Sequence, residues 1–99
     1  MIRVSIDPLD KVFMLEGHAG YAPHGRDIVC ASASMMAAML FEYALQTAED
    51  EDIWECEMRP GYARLLMEPA CTDMLHVFEA VKTGFELLAK HYPDNVIVD

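Results

Sequence analysis

Ninety-nine residues, 54% of them hydrophobic, are enough for one folded domain over residues 1–99 with an adequate but not generous core. A formal net charge of −10, from 17 acidic against 7 basic side chains, excludes the basic surface that direct nucleic-acid binding needs. It matches a basic protein or peptide as partner, although acidity also serves simply to keep an apolar chain in solution.

So high an apolar share in so short a chain predicts burial of surface against a second copy, a homodimer. Three cysteines, an odd number with no Cys-x-x-Cys pair and no secretory leader ahead of them, argue against a disulfide framework and for the reduced thiols of a cytoplasmic protein. The longest uncharged run, residues 28–41, falls short of the roughly 18 to 20 residues that a membrane span requires and reads as a buried helix.

In chain order, Ile2, Val4 and Ile6 alternate with Arg3, Ser5 and Asp7, and after a turn over residues 8–11 a second apolar strand runs over residues 12–15. Residues 17–27 hold three glycines and Pro23 and read as a loop. Small and apolar residues from Ile28 to about Thr47 predict a helix that ends before the acidic run 49–52, which opposes the dipole at a helix C-terminus.

Trp54, Cys56 and Met58 then alternate with Glu55, Glu57 and Arg59, and Ala63, Leu65 and Met67 follow in a second strand. A two-residue turn at Pro60-Gly61 sets Glu57 opposite Arg64 and Trp54 opposite Met67, with Cys56 pointing into the core. Leu75, Phe78, Val81, Phe85, Leu88 and Tyr92 form the stripe of an amphipathic helix, with Thr72 as its cap and Pro93 as its stop. Residues 95–98 are a short extra strand, placed across a dimer interface. The expectation is an α+β fold in ββαββα order: two layers, with two helices on a four-stranded, mainly antiparallel sheet.

The chemistry concentrates in residues 17–31. Asp27 is a good N-cap and puts Cys30 in the first helical turn, where free N–H groups and the helix dipole favour a thiolate. His18 ends a strand twelve residues earlier, and the loop between is long enough to bring its imidazole back to the thiol as a base. Amides around Cys30 are candidates to hold an oxyanion. The same cysteine equally fits plain packing within an apolar helix.

The string Gly17-His18-Ala19, followed by Gly25-x-Asp27-Ile28-Val29-Cys30-Ala31 and then Ser34, resembles the signature of the ribosomal-processing cysteine proteases called Prp. Length, acidity and the order of strands and helices agree with that family over essentially the whole chain. The resemblance implies a dimeric bacterial endopeptidase that removes an N-terminal extension from the large-subunit ribosomal protein numbered twenty-seven. It implies His18 as base and Cys30 as nucleophile, with Asp27 and Ser34 in supporting roles. Just after the cysteine, Ser32 and Ala33 stand where alanine and valine are more usual.

Tyr21 and Gly25 are expected at the substrate, Tyr21 either lining the cleft or packing beneath the loop, and the glycines suggest a loop that closes on a bound peptide. His24 is a rival base without rigid support. Cys71, near a helix start, reads as inert packing, and His76 and His91 lie too far apart for a metal pair on one helix face. His18, His24 and Cys30 lack a zinc spacing, so neither metal nor cofactor is expected. Met35, Met36 and Met39 read as core or dimer interface. The competing function is a non-catalytic, acidic, dimeric adaptor for a basic ribosomal protein.

Overall fold

The computed structural model describes residues 1–99. The first hairpin, β1 (Ile2–Asp7) and β2 (Val12–Glu16), buries Ile2, Val4, Ile6, Phe13 and Leu15 on one face and leaves Arg3, Ser5 and Asp7 in solvent. Alternation in sequence becomes alternation of faces. Asp7 closes the turn by accepting the N–H groups of Leu9 and Asp10. Lys11, at φ 57° and only 3% exposed, directs its ammonium to the carbonyl oxygens of Leu9 and Pro69.

Helix α1 (Ile28–Thr47) is 20 residues long and ends where the acidic run begins, as predicted. By length and composition it also suffices to cross a membrane, a property that the shorter uncharged run conceals because Glu42 interrupts it. Its Val29, Ala33, Ala37, Leu40, Phe41 and Ala44 are buried in the core.

The second hairpin, β3 (Ile53–Arg59) and β4 (Tyr62–Met67), pairs Glu57 with Arg64 as the two-residue turn requires. Arg64 forms its ion pair with the diagonal neighbour Glu55, at 2.8 Å. An irregularity between Ile53 and Glu55 absorbs Trp54, so Ile53 and not Trp54 stands opposite Met67. The inward placing of Cys56 is also corrected: Trp54, Cys56 and Met58 are exposed. Period-two alternation identifies a face, but only overlying elements bury it, and β3 is the edge strand that the helices do not cover.

Helix α2 (Leu75–His91) buries Phe78, Val81 and Phe85. Thr72 does not cap it. A short 3-10 turn, Thr72–Met74, intervenes and α2 starts without a side-chain cap. The tail forms β5 (Val96–Val98), which pairs in parallel with β1 of the same chain, Ile2 opposite Val96 and Val4 opposite Val98. The sheet therefore has five strands rather than four, in the order β3-β4-β2-β1-β5, and the tail is an intrachain element instead of a bridge to a second copy.

Both helices contribute to one apolar cluster with the inner face of the sheet, in a two-layer α+β arrangement. Phe13 lies at its centre, edge-on to Phe41 at 5.9 Å and tilted against Phe85 at 5.6 Å between ring centroids. Val29, fully buried in the same cluster, holds the first turn of α1 against the sheet.

Candidate active site

Asp27 organises the start of α1. Its Oδ1 accepts from Val29 N–H at 3.0 Å and Cys30 N–H at 2.9 Å, the cap expected from sequence, while Oδ2 accepts from Tyr21 N–H at 2.9 Å and Ala22 N–H at 3.2 Å. One carboxylate thus ties the helix to the preceding loop. These donors, Cys30 N–H foremost, hold the Asp27 carboxyl below its usual value, against a smaller opposing effect of desolvation.

The same bonds revise the oxyanion expectation. Val29 and Cys30 N–H are taken by the Asp27 side chain, and Ala31 N–H by the Asp27 carbonyl at 3.0 Å. The amides nearest the thiol in sequence are therefore already satisfied.

Cys30 is half-buried, and its Sγ receives the Ala19 N–H at 3.2 Å. His18, exposed at the end of the strand-to-loop passage, shares with Cys30 and Ser34 the lining of two adjoining cavities. The thiol's hydrogen-bond partner is this amide rather than the imidazole. The narrower cavity, about 200 Å3, lies between α1 and the β3–β4 turn and is closed by Ala33, Ala37, Met58 and Gly61. The wider, about 650 Å3, opens along the loop past Gly25, His24 and Asp27. Ser34, one turn beyond Cys30, lines both.

Gly61 is a contributor that sequence treated only as a turn. Its φ is +74°, and a β-carbon built on it lies 2.7 Å from His18 Nε2. The imidazole therefore rests against bare backbone, in space that only glycine leaves. Gly17 N–H donates to the Gly61 carbonyl at 2.9 Å, fixing loop and turn together immediately before His18.

Tyr21, expected at the substrate, lines neither cavity. Its ring packs edge-on against Tyr92 at 5.3 Å. Gly25, at φ +85°, has open space where a side chain would be. The loop is less free than its glycines suggest, being anchored at Ala19, Tyr21, Ala22 and Asp27. His24 lines only the wider cavity, on the exposed stretch of the loop. No cluster of three or more His, Cys, Asp or Glu side chains has the geometry to hold a metal ion.

The other thiols lack such surroundings. Desolvation pushes Cys56 above the ordinary thiol value, and desolvation, then the charges of Asp52 and Asp73, does the same for Cys71.

A cysteine in the first turn of a capped helix, sharing a cleft with a strand-end histidine on a two-layer α+β scaffold, fits the chemistry of a cysteine peptidase. The chain is a member of the cysteine protease Prp family, whose model matches residues 1–97. It is 25% identical over 100 residues to the ribosomal processing cysteine protease Prp of Mycoplasma genitalium, covering 100% of this chain and 95% of that one.

Among solved structures, the Prp protease of S. aureus in complex with a covalently linked product peptide superposes with a TM-score of 0.85 at 21% identity, covering 100% of this chain and 98% of that one. SMU.848 of Streptococcus mutans gives a TM-score of 0.79 at 27% identity, with coverage of 100% and 92%. The S. aureus protein with a substrate peptide gives 0.77 at 21%, with coverage of 100% and 98%.

Proposed function

We propose that this cysteine protease is an endopeptidase that removes the N-terminal extension of the large-subunit ribosomal protein numbered twenty-seven, with Cys30 as nucleophile and His18 as base. The observation that carries the reading is that these two side chains, twelve residues apart on different elements, line the same pair of cavities. The M. genitalium relative is described as a ribosomal processing protease, which supports the substrate.

In the acylation step His18 takes the thiol proton and Cys30 Sγ attacks the scissile carbonyl carbon. The C–N bond then breaks as the imidazolium returns its proton to the leaving amine. Water attacks the thioester with His18 again accepting a proton, and the C–S bond breaks to restore the thiol. Asp27 holds helix and loop in register, and the unpartnered hydroxyl of Ser34 is free to donate to His18 or to the developing oxyanion. Gly25 leaves the wider opening unobstructed for the peptide backbone.

A net charge of −10 suits a basic ribosomal substrate and the cytoplasm where ribosomal proteins are made. The working form is a homodimer. Its support is an apolar groove between α1 and α2, where Met35 is 62% and Met39 57% exposed, with Tyr43 and Val77 beside them. Sedimentation of the native protein against Met39→Glu tests it: a dimer that becomes a monomer is the expected outcome, and a monomeric native protein refutes it.

The test of the function is cleavage of a peptide spanning the extension junction by the native protein, Cys30→Ala and His18→Ala. Loss of cutting in both folded variants is expected. Binding without cleavage by the native protein favours the adaptor instead.

A further inference from the structure

Asn95 precedes β5 and belongs to none of the motifs, yet its side chain meets the active-site loop across 76 residues of sequence. Its Nδ2 donates to the Ala19 carbonyl at 3.0 Å. The residue is itself fixed: its carbonyl accepts Ile2 N–H at 2.8 Å, and its N–H donates to the Tyr92 carbonyl at 3.0 Å. Tyr92 in turn carries the ring of Tyr21. The turn over residues 92–95 is thus a platform with a polar and an aromatic attachment to the loop.

The polar attachment falls on one particular residue. Ala19 has its methyl group buried in the core, its carbonyl on Asn95 and its N–H on Cys30 Sγ. On either side of it, Gly17 and Gly20 have φ of +96° and +67°, so the segment owes its orientation to these contacts, to the Met1 amino group on the His18 carbonyl and to the Gly17 N–H on the Gly61 carbonyl, and not to steric restriction of its own backbone.

We propose that Asn95 is a positioning residue for the nucleophile: by holding the Ala19 carbonyl it keeps the Ala19 N–H aimed at Cys30 Sγ. The proposal rests on the reading of Cys30 as nucleophile. An N–H donor stabilises a thiolate far more than a thiol, because a hydrogen bond to an ionised acceptor is roughly twice as strong as one between neutral groups. Releasing Ala19 therefore acts selectively on the reactive form.

The titratable groups lining the cavities beside the thiol are His18, His24, Arg26 and Asp27 from the loop and Arg59 and Tyr62 from the second hairpin, and the Met1 amino group lies on the His18 carbonyl next to Ala19. An uncharged replacement leaves all of them in place. Asn95→Leu removes the donor at similar shape, and Asn95→Ala removes it with less bulk.

The test is the pH profile of Cys30 alkylation by iodoacetamide in the full chain, with Cys30, Cys56 and Cys71 resolved as separate peptides by mass spectrometry. In both variants the Cys30 rate at pH 6.5 falls about tenfold, and the deficit shrinks as pH rises. A profile superimposable on the native one, or a rate lowered equally at every pH, overturns the proposal. Urea midpoints monitor the fold, and Asn95→Ser replaces any variant that fails to fold. The readout needs no peptide substrate, so a Cys30→Ala protein that still cleaves would overturn the dyad without deciding the alkylation result.

Discussion

Placing a methyl group on Gly61 tests whether the second hairpin seats the base. A β-carbon there lies 2.7 Å from His18 Nε2 and 3.1 Å from Cε1, whereas ordinary contact begins near 3.4 Å, so ring or turn retreats by about 0.7 Å. A misplacement on the order of 1 Å at a reacting group costs about 10²-fold in rate, close to 2.7 kcal/mol of barrier. The φ of +74° adds a separate strain of roughly 1 to 2 kcal/mol to the folded state of any ordinary L-residue. Gly61→Ala should therefore lose most of its kcat/KM on the junction peptide while its urea midpoint falls modestly. Gly61→Asn separates the two effects, because asparagine tolerates positive φ yet still carries the β-carbon. It should be nearly as inactive and more stable. Activity within threefold of native in Gly61→Asn would refute the seating of His18 by bare backbone.

The thiols should differ in reactivity: at pH 6.5 iodoacetamide modifies Cys30 first, while Cys56 and Cys71, both held toward the neutral thiol, lag in the same digest. Asp27 is bound more tightly as carboxylate in the folded chain than in the unfolded one, so its contribution to stability is present above the unfolded value near 3.8 and is lost as pH falls through the lower folded value. Urea titrations of native protein and Asp27→Asn should accordingly differ at pH 7 and converge toward pH 2. Phe13→Ala, deleting a fully buried ring that touches Phe41 and Phe85, should cost about 3 to 5 kcal/mol by the same method.

Strand alternation placed β1, apolar runs placed β2 and α1, and the 3.6-residue stripe placed most of α2, because those segments carry their signals in consecutive residues. The edge position of β3 was not visible in the same way: Trp54, Cys56 and Met58 alternate as a buried strand would, and only the reach of the helices decides that they stay exposed. The irregularity at Trp54 and the partner of β5 likewise depend on contacts between distant segments. At the site, Asp27, Cys30 and His18 announce themselves through capping chemistry and a compact motif. Gly61 and Asn95 do not, since a turn glycine and a tail asparagine acquire their roles only when folding brings them beside His18 and Ala19.

The parallel pairing of β1 with β5 joins residues 2–4 to residues 96–98, almost the longest separation the chain allows. Contacts of that separation close nearly the whole chain into one loop. Because a ribosome delivers the chain from its N-terminus, His18 and Cys30 emerge long before residue 95 exists to support Ala19. A chain made only as far as the end of α2 has its motif and lacks its platform. Until residues 95–98 have been made, β1 keeps an open edge and the Ala19 carbonyl has no partner from the tail.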